Sequence, residues 1–208
     1  MSRLPELARE RLGEVERALF DAITSGKRTT TAGASTYVTA GGGLRGPFNA
    51  LLHAPHVGDA VQRLGEHLRF DGVLPPRQRE IAVLCVAAHW RADYEWWAHA
   101  RIARDCGVPE TVIEAIRARA RPALDDTGEQ VVHDCARALL DERRIPDPLY
   151  DQAVSHIGET ALVELVILLG YYSLVSMILV GFQVPLPEGE TAPFGPVRPH
   201  SAPFGPSR

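Results

Sequence analysis

The sequence predicts an all-α protein, and three observations carry that expectation. Apolar residues recur at helical spacing through most of the chain, prolines stand at or near the starts of several of those runs, and no run alternates as a half-buried strand does. At 208 residues, one domain can bury a substantial core without disulfide or metal staples.

Leu4 to Ile23 reads as the first amphipathic helix: Leu7, Leu12, Val15, Leu19 and Ile23 fall near one face, and Ser25-Gly26 stops it. Lys27 to Gly46 (KRTTTAGASTYVTAGGGLRG) has no sustained period and is expected to be a loop or lid. Its Gly41-Gly42-Gly43 suggests a phosphate cradle, but no strand precedes it and no Gly-Lys-Ser/Thr follows, so flexibility is the better reading. Further helices are expected at Phe48–His53, Pro55–Arg69, Pro76–Trp90, Tyr94–Cys106, Pro109–Ala120, Gly128–Glu142, Pro148–His156 and Glu159–Phe182. Asp93 suits the N-cap of the Tyr94 helix and Gly107 its C′ position. The end, TAPFGPVRPHSAPFGPSR, repeats Ala-Pro-Phe-Gly-Pro from Ala192 and from Ala202, which predicts an extended tail or an arm on a neighbouring subunit.

Composition narrows the partners. A formal net charge of −4 gives no basic excess for nucleic acid, and Arg117-Ala118-Arg119-Ala120-Arg121 reads as a solvated helix end. Cys85, Cys106 and Cys135 are widely spaced and odd in number, which speaks against a disulfide framework or a Cys-x-x-Cys motif; a reducing cytoplasm is the expected compartment. The first residues are charged throughout, unlike a signal peptide. Leu162 to Phe182 is long enough to span a bilayer by the ~20-residue criterion, but Glu164, Gly170, Ser173 and Ser176 interrupt it and no flanking Lys/Arg sets a topology. It is expected to be a central helix, buried on nearly all sides by neighbours or by another subunit, with neither membrane nor nucleic acid as partner.

Chemistry concentrates in DYEWWAHARIARDCG, Asp93 to Gly107. Glu95 and His99 stand four residues apart on one helix face, close enough for the carboxylate to orient the imidazole or hold its charge. Trp96 and Trp97 diverge by about 100°, so at least one should be buried near the pair, where low dielectric would raise a carboxylate's pKa and suit it to proton transfer. The competing reading is that both tryptophans are packing residues and the pair is exposed. Spacing alone decides little, because Glu129 and His133 repeat it with no site around them. No His-Glu-x-x-His, no di-metal Glu-x-x-His and no Gly-x-Ser-x-Gly occurs, so neither metal nor another cofactor is expected.

Arg77 to Val108, RQREIAVLCVAAHWRADYEWWAHARIARDCGV, closely resembles the core of the carboxymuconolactone decarboxylase-like family, itself similar to alkyl hydroperoxidase D-like proteins. GPFNALLHAP, from Gly46, and LVELVILLGYYSLVSMILVGFQVPLPEG, from Leu162, resemble that family's opening segment and last helix. The resemblance divides the chain into an N-terminal helix and Gly/Thr-rich loop (1–45), a family-like helical domain (46–189) and a Pro/Gly-rich tail (190–208). It implies an alkyl hydroperoxidase D-like helical bundle in an intertwined homo-trimer or homo-hexamer.

In the peroxidase branch a glutamate precedes Cys-x-x-Cys-x-x-x-His. Aligned through His99, the cysteine positions fall on Ala92 and Glu95 and the upstream glutamate on Glu80, so the thiol mechanism has no thiols. The decarboxylase branch needs neither thiol nor cofactor. The resemblance therefore implies a cofactor-independent, decarboxylase-like lyase or an isomerase of aromatic degradation, acting on a small, anionic, unsaturated carboxylic acid or lactone. His99 would be proton donor or shuttle, Glu95 its partner and Glu80 a second acid/base, with Asn49, Arg91, Tyr94 and Trp97 as substrate-binding residues. The alternatives are a non-redox relative with a different substrate, and a non-catalytic oligomer binding an apolar ligand through Trp96, Trp97, Tyr171 and Tyr172. A catalytic site predicts Glu95 hydrogen-bonded to His99, both lining one enclosed cavity with Glu80, while His89 faces elsewhere.

Overall fold

In the computed structural model, which describes residues 2–27 and 37–195, α-helices follow one another as α1 Glu14–Ser25, α2 Pro47–Leu52, α3 Pro55–Phe70, α4 Pro76–Trp90, α5 Asp93–Asp105, α6 Glu110–Arg117, α7 Thr127–Arg137 and α8 Asp147–Gly181. Among the described residues β-structure is limited to one isolated bridge, Val38 to Leu44. The expected loop over residues 28–36 and the second tail repeat lie outside the described residues.

The centre is α4. Its residues Glu80 to Ala88 are all buried, and α5, α6, α7 and α8 pack round it. Ala82, Cys85, Ala87 and Ala88 are small enough to admit helices on several sides, while Ile81, Val83, Leu84 and Val86 fill the gaps between them. This corrects the expected centre. α8 buries Leu162, Leu165, Leu168, Leu169, Tyr172, Val175 and Leu179, but leaves Val163, Val166, Ile167, Leu174, Met177 and Val180 exposed along its other face. By length and composition α8 could cross a membrane. Its one mid-helix carboxylate has a structural task instead: Glu164 accepts hydrogen bonds from the N–H groups of Val73 (2.8 Å) and Leu74 (3.0 Å), just ahead of α4. Gly158, at φ 80° and ψ 162°, breaks α8 where two helices were expected to meet.

The first helix is shorter than its periodicity suggests. Residues 4–8 run without helix, a single 3-10 turn covers Arg9–Arg11, and α1 begins after Gly13. The reason is competition from α2. Asn49 accepts from Leu7 N–H (3.0 Å) and donates to Pro5 O (3.0 Å), satisfying backbone groups that a helix would have used. Val15 is consequently exposed, and the buried set is Leu12, Leu19, Phe20 and Ile23, which with Leu44, Leu51 and Leu52 forms a second, smaller core.

Helix ends differ from expectation at two places. Asp93 is the first residue of α5 rather than its cap, Ala92 being the N-cap, and its carboxylate accepts from Phe194 N–H instead (3.0 Å). α6 stops at Arg117, with Arg119 left-handed at φ 58°. The arginines beyond are ion-paired rather than merely solvated: Arg117 to Glu114 (2.8 Å), Arg119 to Asp141 (2.6 Å) and Arg121 to Asp134 (2.6 Å). Gly107, at φ 82°, ends α5 as predicted.

Leu84, wholly buried in the middle of α4, sets the scale of the core. Leu84→Ala is expected to lower unfolding free energy by about 2–5 kcal/mol in urea denaturation, whereas Val57→Ala, on an exposed position, should stay within about 0.5 kcal/mol.

Candidate active site

α4 and α5 are joined by the two-residue turn Arg91-Ala92, which folds α5 back along α4. That antiparallel return sets His99 against Glu80, although nineteen positions separate them. His99 Nδ1 lies 2.6 Å from Glu80 Oε2, and Nε2 lies 3.2 Å from Glu95 Oε1 one turn away. A single imidazole thus bridges two carboxylates. All three side chains are buried, Glu80 completely. Arg79 reaches the other oxygen of Glu80 at 3.3 Å, and Tyr172 of α8 stands edge-on to the His99 ring, centroids 4.9 Å apart.

Electrostatics follow from this arrangement. Burial alone would depress the His99 pKa, but the charge and hydrogen bond of Glu80, then those of Glu95, outweigh it and raise the imidazole to about 9. Burial alone would raise Glu80, but the charge and hydrogen bond of His99, helped by Arg79 and Arg69, hold its carboxyl below the ordinary range. The expected upward push of low dielectric on a carboxylate is therefore reversed at Glu80, because a cation is supplied with the burial. At neutral pH the site is an imidazolium donating one N–H to each carboxylate. Burial, and then Glu80 and Glu95, push the Tyr172 phenol well up, so it stays neutral.

A cavity of about 320 Å³ opens beside His99. Glu95, His99, Tyr94 and Trp97 of α5 line it, with Arg69 of α3 and Tyr171 and Tyr172 of α8. Glu80 does not line it; it stands behind His99, away from any ligand in the cavity. The expected enclosed cavity shared by all three acid/base residues is thus corrected: two line a cavity that communicates with solvent, and the third orients the histidine from the core. Trp97 and Trp96 diverge as the helix requires, Trp97 into the cavity wall and Trp96 into the core. Tyr94 lies over Gly46, whose φ of 61° and 2.6 Å clearance between an added Cβ and the Tyr94 ring leave room for no side chain.

Two residues named from the sequence stand elsewhere. Asn49 is turned to the N-terminal segment. Arg91 adopts the left-handed conformation at the end of α4 (φ 50°) and donates to Phe194 O, outside the cavity. His89 faces Asp141 (3.4 Å), away from the site as expected. Sequence reasoning missed Arg69, Arg101 and Asp105 in the wall. Arg101 and Asp105 follow Trp97 at helical spacing on α5 and were within reach of a helical projection; Arg69 carries no local signal. The look-alike pair does not form: Glu129 binds Arg77 (2.7 Å) and His133 binds Asp134 (2.9 Å). Cys85, Cys106 and Cys135 are free thiols and none lines the cavity. Burial pushes Cys85 up to about 12 and Cys135 up to about 11.

An all-helical chain with its acid/base residues on two adjacent antiparallel helices is an alkyl hydroperoxidase D-like protein by fold, and solved structures agree. A candidate antioxidant defence protein AhpD of unknown function from Agrobacterium tumefaciens superposes with a TM-score of 0.60 at 19% identity, over 67% of this chain and 96% of that one. An uncharacterized peroxidase-related protein from Ralstonia eutropha with an alkylhydroperoxidase AhpD core gives 0.69 at 16% identity, over 88% and 91%. An uncharacterized peroxidase-related protein from a Silicibacter species gives 0.57 at 16% identity, over 66% and 75%. No curated protein matches the chain. Residues 55–137, which include Glu80, Glu95 and His99, match the carboxymuconolactone decarboxylase family and belong to it.

The raised His99 pKa links stability to pH. A base bound more tightly to its proton in the folded state stabilises fully below its unfolded pKa of about 6.5, and that contribution is lost as pH rises through the folded value. Unfolding free energy should therefore fall by a few kcal/mol between about pH 6.5 and 9, the upper limit being the His99 pKa of about 9. His99→Gln should flatten this slope in urea denaturation at stepped pH; an unchanged slope would contradict the assignment.

Proposed function

We propose that this protein is a cofactor-independent lyase of the decarboxylase type, or an isomerase, acting on a small anionic unsaturated carboxylic acid or lactone by proton transfer through His99 and Glu95. The observation that carries the reading is the buried Glu80–His99–Glu95 chain, protonated at its centre and opening on a cavity. The Nδ1 proton is held at 2.6 Å by Glu80, and the Nε2 proton more loosely, at 3.2 Å, by Glu95. The transferable proton is therefore the one on Nε2, and Glu80 is a positioning residue.

The wall supplies the rest. Arg69 has no carboxylate partner among the described residues and offers its charge to the substrate anion. The Trp97 indole N–H is buried without an acceptor, an open donor in the wall. In the decarboxylation, the carbon–carboxylate bond breaks, carbon dioxide leaves and the electron pair passes into the conjugated carbonyl as an enolate. The His99 imidazolium stabilises that enolate and donates its Nε2 proton to carbon; Glu95 then conducts a replacement proton from solvent. In an isomerisation, Glu95 would take the proton that His99 returns. The thiols of the peroxidase pattern have no counterpart in the cavity. Three free cysteines suit the cytoplasm, where we place the reaction.

Turnover of a carboxymuconolactone, followed by carbon dioxide release and product NMR, tests the reading. His99→Ala should lose at least 100-fold in kcat, the order expected for removing a general acid, and Arg69→Met should chiefly raise KM. No release by the unmutated protein from this or a panel of enolisable lactones and acids would overturn it.

We also propose a homo-trimer or homo-hexamer as the working state. The support is the exposed stripe Val163, Val166, Ile167, Leu174, Met177 and Val180, contiguous on one face of α8. Light scattering after size exclusion should give a multiple of the 22.7 kDa chain, and Val166→Asp with Met177→Asp should reduce it to the single chain. A monomeric unmutated protein would overturn the proposal.

A further inference from the structure

The motif Ala-Pro-Phe-Gly-Pro occurs twice, from Ala192 and from Ala202. The part of the first copy that lies within the described residues is seated on a built site at the start of α5, outside the catalytic cavity. The Phe194 ring stands edge-on to Trp96, centroids 5.3 Å apart, and the Arg91 guanidinium lies over it at 5.6 Å. Both backbone groups of Phe194 are bound: its N–H donates to Asp93 Oδ1 at 3.0 Å, and its carbonyl accepts from Arg91 Nη2. Arg117 Nη1 donates to the Pro193 carbonyl at 3.3 Å. An aromatic slot, a donor and acceptor for one residue's backbone and a third contact to a proline, whose fixed φ reduces the entropy lost on docking, are the elements of a peptide-recognition site.

Every feature read by these contacts is a property of the motif, and the second copy repeats it with Phe204 in the place of Phe194. We propose that Arg91, Asp93, Trp96 and Arg117 form a receptor for the Ala-Pro-Phe-Gly-Pro motif, and that the second copy, Ala202–Pro206, is an alternative occupant of that receptor in the same chain. Tether length permits the exchange. From Gln183, just past α8, the chain has 11 residues to reach Phe194 and 21 to reach Phe204. Closing a loop about twice as long lowers occupancy roughly threefold, so the first copy predominates and the second holds the receptor in about a quarter of molecules. The receptor occupies the first turn of α5, the turn that carries Glu95, so the exchange takes place on the helix that presents the acid/base pair.

The test is calorimetric titration of the peptide SAPFGPSR, the sequence of residues 201–208, into full-length variants whose folding is checked by circular dichroism. F194A/F204A should bind it one to one. Unmutated protein and F194A should both bind at least roughly tenfold more weakly, because a tethered copy competes at an effective concentration of about millimolar. Peptide with its phenylalanine changed to alanine should not bind. No saturable binding by the folded double variant would overturn the receptor; F194A binding as tightly as the double variant would overturn the exchange. A second measurement does not depend on those variants folding. With 4-fluorophenylalanine placed at 204 in the otherwise unmutated chain, a bound fluorine signal of about a quarter of the total intensity is expected, and a single free signal would overturn the exchange.

Discussion

A carboxylate at the centre of the core constrains the structure more than any apolar contact. Glu80 has no exposed surface and lies on the helix that the other long helices surround. An ion in that position costs several kcal/mol unless a counter-charge and hydrogen bonds accompany it. Arg79 and His99 supply both. The apolar faces of α4 and α5 could pack in several registers with similar burial, but His99 meets Glu80 in one of them. The cavity inherits its place from that constraint, since Glu95 and Tyr172 flank the same imidazole. Stability and chemistry here depend on one ion pair, and a change in either partner alone leaves a buried charge without its counterpart.

Equal sequence spacing gave unequal outcomes, and the difference is tertiary. Glu95-x-x-x-His99 and Glu129-x-x-x-His133 both set a glutamate one turn ahead of a histidine. In the first case α4 brings a second carboxylate to the imidazole; in the second, Arg77 draws Glu129 away and Asp134 takes the histidine. Neither Arg77 nor Glu80 is local to its target, so spacing could not separate the pairs. Glu80 became legible through the resemblance over Arg77 to Val108, and Arg69 did not, because its link to the site is only the packing of α3 against the rest. Asn49 and Arg91 were placed in the pocket on proximity in sequence to helix ends, and each proved to serve a backbone segment instead.

Helices from Pro55 onward were legible because proline starts and glycine stops punctuate strongly periodic runs. Leu4 to Leu12 had the period but not the helix, since Asn49 offered its backbone better partners. Which helix stands at the centre was not legible either. α8 is more continuously apolar than α4, yet exposes half its circumference, whereas α4 carries a charge and is sheathed. Hydrophobicity measures the tendency to be buried against something; residue size decides how many neighbours can approach. The alanines and cysteine of α4 admit helices on several sides, while the valines, leucines and methionine on the outer face of α8 are left for a surface outside the single chain.

Replacing thiols by Ala92 and Glu95 in the peroxidase-like pattern alters more than the loss of a nucleophile. Two carboxylates now face one imidazolium, so the protonated site carries an excess of negative charge, and an anionic substrate entering beside it would be repelled unless a cation offsets that excess. Arg69 stands in the same wall, its charge already felt at Glu80. The site therefore divides its electrostatic work. Glu80 and Glu95 keep the proton on His99, and Arg69 makes the cavity acceptable to an anion whose departing carboxylate is best placed among Trp97 and Tyr171, where poor solvation favours neutral carbon dioxide over the charged group. A proton donor held at about 9 remains charged through the physiological range and gives up its proton only when a strongly basic carbon appears beside it, as the enolate formed by loss of carbon dioxide would be.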